Sequence, residues 1–535
     1  MKACVLALGL VLVAGALPGC GVDTGEAEND FTSNQATLLT FEFDGELTTT
    51  ETFNLEQTIQ DQLLYTIGHL NGDRGVGRLD AVKLTNVTTS RLDDGSTHVS
   101  YHAVLPVGWG SQHNLPTKYD FTMPKRIDMA GQQAFSDKYK SSCVEAGAHD
   151  VGPDSLWYYY RPNLTSCKLA AGDVVKFTAA VTVSPENTKN KYPEYDKIWE
   201  DQTLRVVAIF GKYEDGATTS ADAGIDGYGT FVSEVRRLWP EATVTPANAA
   251  AAPGADQPDV QIDAALPNGR KLVVNALLVD NVSSAPQSFY TRYEGLSTEA
   301  DIIFYNGHSG LGQNVRALSR HGDFRQGKYQ IFYMNGCDSF AYVDGYLAKD
   351  RSTVNPDDPT GTKYMDIVTN LMPAFFTSMP NASMALINHL AAPETPETYQ
   401  QIFADIDRSQ VVVVTGEEDN VYTPQGPTQT WTYSEAGVLA TGAQKGYSLG
   451  TLPAGKYVLQ LLEDQAQPGG DADLYVGLGK VPTMSSYDFR PYLSGSNEEV
   501  SFTLTAPTAV NVMVQAYEGA GDGNVAFKLA GHVAQ

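Results

Sequence analysis

Beyond residue 20 the chain has no uninterrupted apolar run of 18 residues, so nothing there reads as a membrane-spanning helix. Basic residues are scarce: 36 Lys and Arg stand against 63 Asp and Glu, a formal charge of −27. Such a chain repels phosphate backbones, and nucleic-acid binding is not expected. Cysteine is scarce too, with five in 535 residues, too few for a fold held by disulfides. Length takes over that task, since a chain of this size can bury the cores of roughly two to four domains.

What is present begins at the amino terminus. Lys2 precedes the apolar stretch Ala3–Leu17, which is too short to span a bilayer but suits the core of a signal peptide. Leu17-Pro18-Gly19-Cys20 resembles the bacterial lipobox, in which the thiol is acylated and the chain is cut before the cysteine. The resemblance implies a signal peptide at 1–19, lipid on Cys20, and attachment to a bacterial membrane. The outer membrane is the expected one, facing periplasm or cell surface. Residues 20–35 are polar and acidic and read as a flexible tether. Cys4 leaves with the signal peptide. In an oxidising compartment Cys143 and Cys167 are natural disulfide partners, a bridge worth on the order of 3 kcal/mol. Cys337 is left over.

Residues 36–195 carry short runs rich in Val, Thr, Leu and Tyr, such as Thr37–Phe43, Ala81–Thr89, Thr97–Leu105 and Asp173–Val183, with one amphipathic helix at Leu55–Leu70. This is a β-rich domain without an active-site signature. His98 and His102 lie four apart on a strand, about 13 Å, too far to share one ion. Between 200 and 416 the texture changes to alternating strands and helices. Leu204–Phe210, Leu272–Val279, Asp301–Tyr305, Tyr329–Met334 and Val411–Thr415 read as strands. Helices are expected after Leu204–Phe210, on Ile225, Tyr228, Val232, Val235 and Trp239, and at Lys363–Met379, on Tyr364, Val368, Leu371 and Phe375. The fold class is therefore multidomain: a β-rich N-terminal domain, then an α/β domain with a mainly parallel sheet, then an all-β sandwich at 430–535.

Two strands of the α/β region end alike. Asp301–Tyr305 runs into Asn306-Gly307-His308-Ser309-Gly310, and Tyr329–Met334 into Asn335-Gly336-Cys337-Asp338-Ser339. Catalytic and binding groups collect where parallel strands end. An imidazole beside a thiol is what thiol catalysis needs, and the backbone N–H groups of Ser309 and Cys337 could form an oxyanion hole. Over roughly 200–410 this pattern resembles the caspase-like cysteine peptidases, the clan of gingipains, clostripain, legumain and caspases. The resemblance implies that His308 is the general acid/base and Cys337 the nucleophile. Ser309 departs from it, standing where that family has Gly. His321-Gly322 is a rival His-Gly pair but follows a polar stretch. His389 lies in an apolar run and reads as a core histidine. Asp280 and Asp323 are candidates to orient His308.

From about Thr430 the chain resembles the bacterial pre-peptidase C-terminal domain. The likeness lies in Tyr447-Ser448-Leu449, Leu452-Pro453-Ala454-Gly455-Lys456-Tyr457, Gly470-Asp471-Ala472-Asp473-Leu474-Tyr475-Val476, Tyr487-Asp488-Phe489-Arg490-Pro491-Tyr492 and Gly495-Ser496-Asn497-Glu498. It implies that Asp471 and Asp473 are candidate calcium ligands, although turn shaping explains them as well. No other cofactor is expected. The sequence taken alone thus points to an exported, lipid-anchored cysteine endopeptidase acting on protein or peptide through a Cys337–His308 dyad, with the membrane as its second partner. Two rival readings stand beside it: a catalytically inactive caspase-fold adhesion or scaffold lipoprotein, and a transpeptidase using the same dyad.

Overall fold

The computed structural model describes residues 30–148, 151–342, 345–416, 420, 422–424, 431–453, 455–491, 493–504 and 506–533. The expected signal peptide 1–19, the expected lipidation site Cys20 and the expected tether up to residue 29 lie outside the described residues, as do Ala454 and Tyr492. The chain divides into two compact units, Met1–Tyr422 and Thr423–Gln535.

The first unit contains two sheets. The N-terminal one is built from β1 (Thr37–Thr49), β2 (Gly75–Gly77), β3 (Lys83–Arg91), β4 (Thr97–Trp109), β5 (Lys118–Pro124) and β6 (Val174–Val183). Its order is β2-β4-β1-β6-β5, with β3 also on β4, and every pairing is antiparallel. Period-two alternation explains β1: Leu39, Phe41, Phe43 and Leu47 are buried while Glu42, Asp44 and Glu46 face solvent. The Leu55–Asn71 helix brings Ile59, Leu63, Ile67 and Leu70 into the same core. His98 and His102 each meet carboxylates across the strand pair: His98 meets Glu46 at 3.1 Å, and His102 meets Asp44 at 2.8 Å. Cys143 and Cys167 form a disulfide. The Met129–Tyr139 helix has no strong apolar period; it starts where Asp128 accepts the N–H of Gly131 at 2.8 Å.

The second sheet comprises β7 (Thr203–Gly211), β8 (Thr243–Thr245), β9 (Asp259–Ala265), β10 (Lys271–Val279), β11 (Ile302–Asn306), β12 (Gln330–Asn335), β13 (Met365–Asn370) and β14 (Val412–Thr415). Its order is β14-β13-β12-β11-β7-β10-β9-β8. The central strands β13, β12, β11, β7 and β10 are parallel, and the edges are antiparallel. Helices cover both faces. Val206, Ala208 and Phe210 enter one core with the Ala223–Leu238 and Met379–Leu390 helices. Val207 and Ile209 enter the other with the Gln287–Ser297 and Gln313–His321 helices. From β7 the chain adds β10 on one side and β11 on the other. The carboxyl ends of β7 and β11 therefore flank a topological switch point, where open sheets leave a crevice.

One expected helix is corrected. Lys363–Met379 does not coil as one element: Met365–Asn370 is strand β13, and a separate helix begins at Met379. Ile367, Val368 and Thr369 are β-branched and the whole strand is buried on both faces, so its apolar residues mimic a helical spacing by coincidence. Pro373 then prevents the run from continuing as a helix.

At the opposite end of the sheet two ion pairs are buried. Lys328 meets Asp301, and Lys191 meets Asp366 at 3.0 Å. The hydroxyls of Tyr329 and Tyr399 both donate to Asp366 at 2.7 Å.

The second unit has two antiparallel sheets that share one core. One orders β15 (Thr432–Ala440), β21 (Asn524–Val533), β17 (Gly455–Glu463) and β19 (Glu498–Leu504); the other orders β16 (Gln444–Leu452), β20 (Thr508–Glu518) and β18 (Asp471–Leu478).

Candidate functional site

Three buried asparagines end three neighbouring parallel strands: Asn306 on β11, Asn335 on β12 and Asn370 on β13. They form a ladder across the carboxyl edge. Asn370 donates to Asn335 at 2.9 Å, Asn335 donates to Asn306 at 2.8 Å, and the Ser383 hydroxyl donates to Asn306 at 3.1 Å. Beyond the ladder the chain leaves the sheet in tight turns. Gly336 is required in one of them: a Cβ there would lie 2.8 Å from the Gly307 carbonyl oxygen and 2.6 Å from the Ser309 hydroxyl. The Asn-Gly pair at both strand ends was the sequence signal for this ladder, and its third member, Asn370, carried no such mark.

The turns bring His308, Ser309 and Cys337 to one cavity of about 580 Å³ at the switch point. Ser309 is the stitch between the two turns, its hydroxyl donating to the Cys337 carbonyl at 2.7 Å. That accounts for a serine where the resemblance led one to expect glycine. His308 and Cys337 share the cavity but not a hydrogen bond. Nε2 of His308 meets the carbonyl of Tyr213 at 3.1 Å, and its ring packs against Tyr213 and Phe376. The Cys337 thiol instead meets the Ala374 carbonyl at 3.6 Å. Burial, reinforced by the neighbouring carboxylate of Asp338, pushes this thiol up to about 11. It is protonated at neutral pH.

The remaining wall comes from the N-terminal sheet's side, with Glu145, Tyr158 and Tyr159, and from Tyr342, Phe375 and Phe376. Phe375 is 60% exposed, an uncovered aromatic ring in a concave site. Sequence reasoning had placed the whole site in the α/β region and missed the contribution of Glu145, Tyr158 and Tyr159.

The other candidates fall elsewhere. Asp280 pairs with Lys212 at 2.5 Å, and the Asp323 carboxylate accepts from the Thr298 hydroxyl at 3.4 Å while its N–H donates to the Ser297 hydroxyl at 2.9 Å; neither is bonded to His308. His321 ends a helix and stacks on Tyr290. His389 is not a core residue: it sits half-buried between Glu397 at 3.0 Å and Asp405 at 2.9 Å. In the second unit Asp473 is paired with Arg490 at 2.9 Å, and Asp471 accepts the Gly495 N–H at 3.1 Å. Among the described residues no three His, Cys, Asp or Glu side chains are grouped to hold a metal ion.

No family model matches the chain. A 48-residue stretch is similar to several proteases. It is 52% identical to a virulence metalloprotease of Vibrio anguillarum, covering 9% of this chain and 8% of that protein. It is 50% identical to a zinc metalloprotease of Helicobacter pylori, covering 9% and 19%. An alkaline serine exoprotease A of Vibrio alginolyticus also matches, at 42% identity over 48 residues, 9% of each chain. Among solved structures, the pre-peptidase C-terminal domain of a Bacillus anthracis collagenase is similar at 15% identity and a TM-score of 0.15, over 19% of this chain and 89% of that one. That score is too low to bear weight. The chain thus spans under a fifth of the length of these protease relatives, and over that stretch it is peptidase-related.

These matches overturn the Cys–His endopeptidase expected from the sequence: the related proteases are named for metal-dependent and serine chemistry. The site agrees with the correction. The imidazole is bonded to the Tyr213 carbonyl and the thiol to the Ala374 carbonyl, not to each other. The zinc in one relative's name finds no ligand set among the described residues either.

Proposed function

We propose that this chain is an exported, lipid-anchored, protease-related protein whose cleft at the carboxyl edge of the parallel sheet binds a polypeptide segment. The observation that carries the reading is the cleft itself. A cavity of about 580 Å³ is within the size range of ligand sites, and it is lined by the rings of Tyr158, Tyr159, Tyr213, His308, Phe375 and Phe376. Among the described residues no Lys or Arg lines it and Glu145 is its one carboxylate, so that lining disfavours phosphorylated or other strongly anionic ligands. Aromatic walls beside turn backbone suit a chain that offers side chains and amides together. The caspase-like likeness of the α/β sheet belongs to this reading as an inference about fold.

Export and anchoring rest on the first twenty residues and on the Cys143–Cys167 bridge, which is at home in an oxidising compartment. A Cys20→Ser variant should lose lipid labelling and leave the membrane fraction.

For the cleft, calorimetric titration with a peptide library should yield saturable binders, and Phe376→Ala should weaken them at least tenfold while the fold persists. Absence of saturable binding up to millimolar peptide, or affinity unchanged by both Phe376→Ala and Tyr159→Ala, would refute the assignment.

A further inference from the structure

The residue after Cys337 is held from outside its own sheet. Asp338 is 1% exposed and left-handed, with φ of 49°. Both its carboxylate oxygens take donors from the N-terminal sheet's side. Asn71, the last residue of the Leu55–Asn71 helix, donates to Oδ1 at 2.6 Å, and the Tyr158 hydroxyl donates to Oδ2 at 2.8 Å. Behind them Arg161 donates to Asn71 Oδ1 at 2.7 Å, binds the Gly68 carbonyl, and pairs with Glu145. The Asp338 N–H donates to the Met372 carbonyl at 3.3 Å, which ties the same residue to the segment leading to Phe375 and Phe376. Tyr158 faces two ways: its hydroxyl holds Asp338, and the residue lines the cavity together with Cys337.

We propose that Asn71, Tyr158 and Asp338 form a latch by which the N-terminal sheet fixes the cleft wall bearing Cys337, with Tyr158 as its positioning residue. The consequence for ligands rests on the cleft being a binding site; the latch itself does not. Left-handed backbone at a residue other than glycine costs of order 1 kcal/mol or more and persists only where its surroundings determine it. Here two helical side chains from the N-terminal sheet's side supply that determination. Removing either should free the turn locally while both sheets keep their cores.

The test is hydrogen–deuterium exchange on the full chain, followed over a peptide covering residues 336–342. Tyr158→Phe keeps the ring and removes only the donor; Asn71→Ala removes the other. Each should speed exchange of that segment at least tenfold while protection of β7 and the thermal midpoint stay near wild type. Because one latch is involved, the double variant should exchange no faster than either single one by more than about twofold. Asp338→Asn, which retains an acceptor for Asn71, offers an NH2 that donates to the Tyr158 hydroxyl oxygen and tolerates left-handed backbone, should stay near wild type, whereas Asp338→Ala should not. The proposal falls if Tyr158→Phe and Asn71→Ala leave the segment protected, if their effects multiply, or if Asp338→Asn and Asp338→Ala exchange alike. None of these readouts needs a ligand. Failure of the polypeptide assignment would appear separately, as absent binding in the titration.

Discussion

Nε2 of His308 meets the carbonyl oxygen of Tyr213 at 3.1 Å, so the imidazole is secured to the loop after β7 rather than to the thiol after β12. His308 and Cys337 leave the neighbouring strands β11 and β12 and share one cavity, but each is bonded to a different backbone carbonyl, of Tyr213 and of Ala374. The Tyr213 carbonyl accepts only, so Nε2 carries the hydrogen. The arrangement positions aromatic and polar groups for contact and leaves the thiol a half-buried neutral group in the cavity wall.

Slow alkylation of Cys337 follows directly. With the thiol raised from 9.0 to about 11, its thiolate fraction at pH 7 is about a hundredfold below that of an unperturbed cysteine. Iodoacetamide labelling of the native protein, followed by mass spectrometry, should therefore be at least that much slower than labelling of the unfolded chain at pH 7. The rate should keep climbing as pH approaches 11. A plateau below pH 9 would contradict the burial argument.

Asp338 makes stability depend on pH in a direction opposite to an ordinary salt-bridged aspartate. Burial lifts its carboxyl from 3.8 to about 7, against the pull of Tyr158 and Arg161. The folded state therefore holds the proton that the unfolded chain releases between about pH 4 and 7, and stability falls as pH rises through that window. Asp338→Asn has no such proton to lose. Relative to wild type the variant should gain stability steadily from pH 4 to pH 7 and then level off, by at most on the order of 4 kcal/mol. Urea unfolding at several pH values measures it; a constant difference across the window would rule the assignment out.

Much of this could be read from residues alone, for identifiable reasons. Period-two alternation located β1, and unbroken apolar runs located β7, β10, β11 and β12, because burial of one or both faces leaves that mark on composition. Gly before His308 and before Cys337 marked the turns, since close approach there admits no Cβ at Gly336. What stayed hidden depends on contacts between distant segments. Asn71 and Tyr158 reach Asp338 across 267 and 180 residues. Nothing local records such a meeting. The orientation of His308 was equally hidden, because it is set by a backbone carbonyl that every residue possesses. At β13, short length and β-branching should have outweighed a helix-like spacing.

The asparagine ladder should be expensive to break in the middle. Asn335 both donates to Asn306 and accepts from Asn370, and all three side chains are fully buried. Asn335→Ala removes three hydrogen bonds, to Asn306, to the Met379 carbonyl and from Asn370, and leaves the Asn370 amide only a 3.5 Å contact to the Gly336 carbonyl, a loss of about 2–4 kcal/mol. Asn306→Ala, at the end of the row, should cost less. Equilibrium unfolding of the two variants checks the order, and equal losses would mean that the row does not act as a connected unit.

The ion pair at the other end of the sheet gives the largest expected effect. Asp366 is fully buried in β13, and Lys191, from the segment joining the two sheets, is only 6% exposed and 3.0 Å away. Tyr329 and Tyr399 donate to the same carboxylate at 2.7 Å each, so the charge is solvated by fixed donors rather than by water. Removing the cation alone strands that charge. Lys191→Met should therefore destabilise the first unit by about 3–5 kcal/mol at neutral pH. Replacing both partners, as Lys191→Met with Asp366→Asn, should restore a large part of the loss, because the neutral amide keeps acceptors for the tyrosine hydroxyls. Thermal unfolding of the three proteins separates the cases. If the double variant proved no more stable than Lys191→Met, the cost would lie in lost lysine packing and not in an unpaired carboxylate.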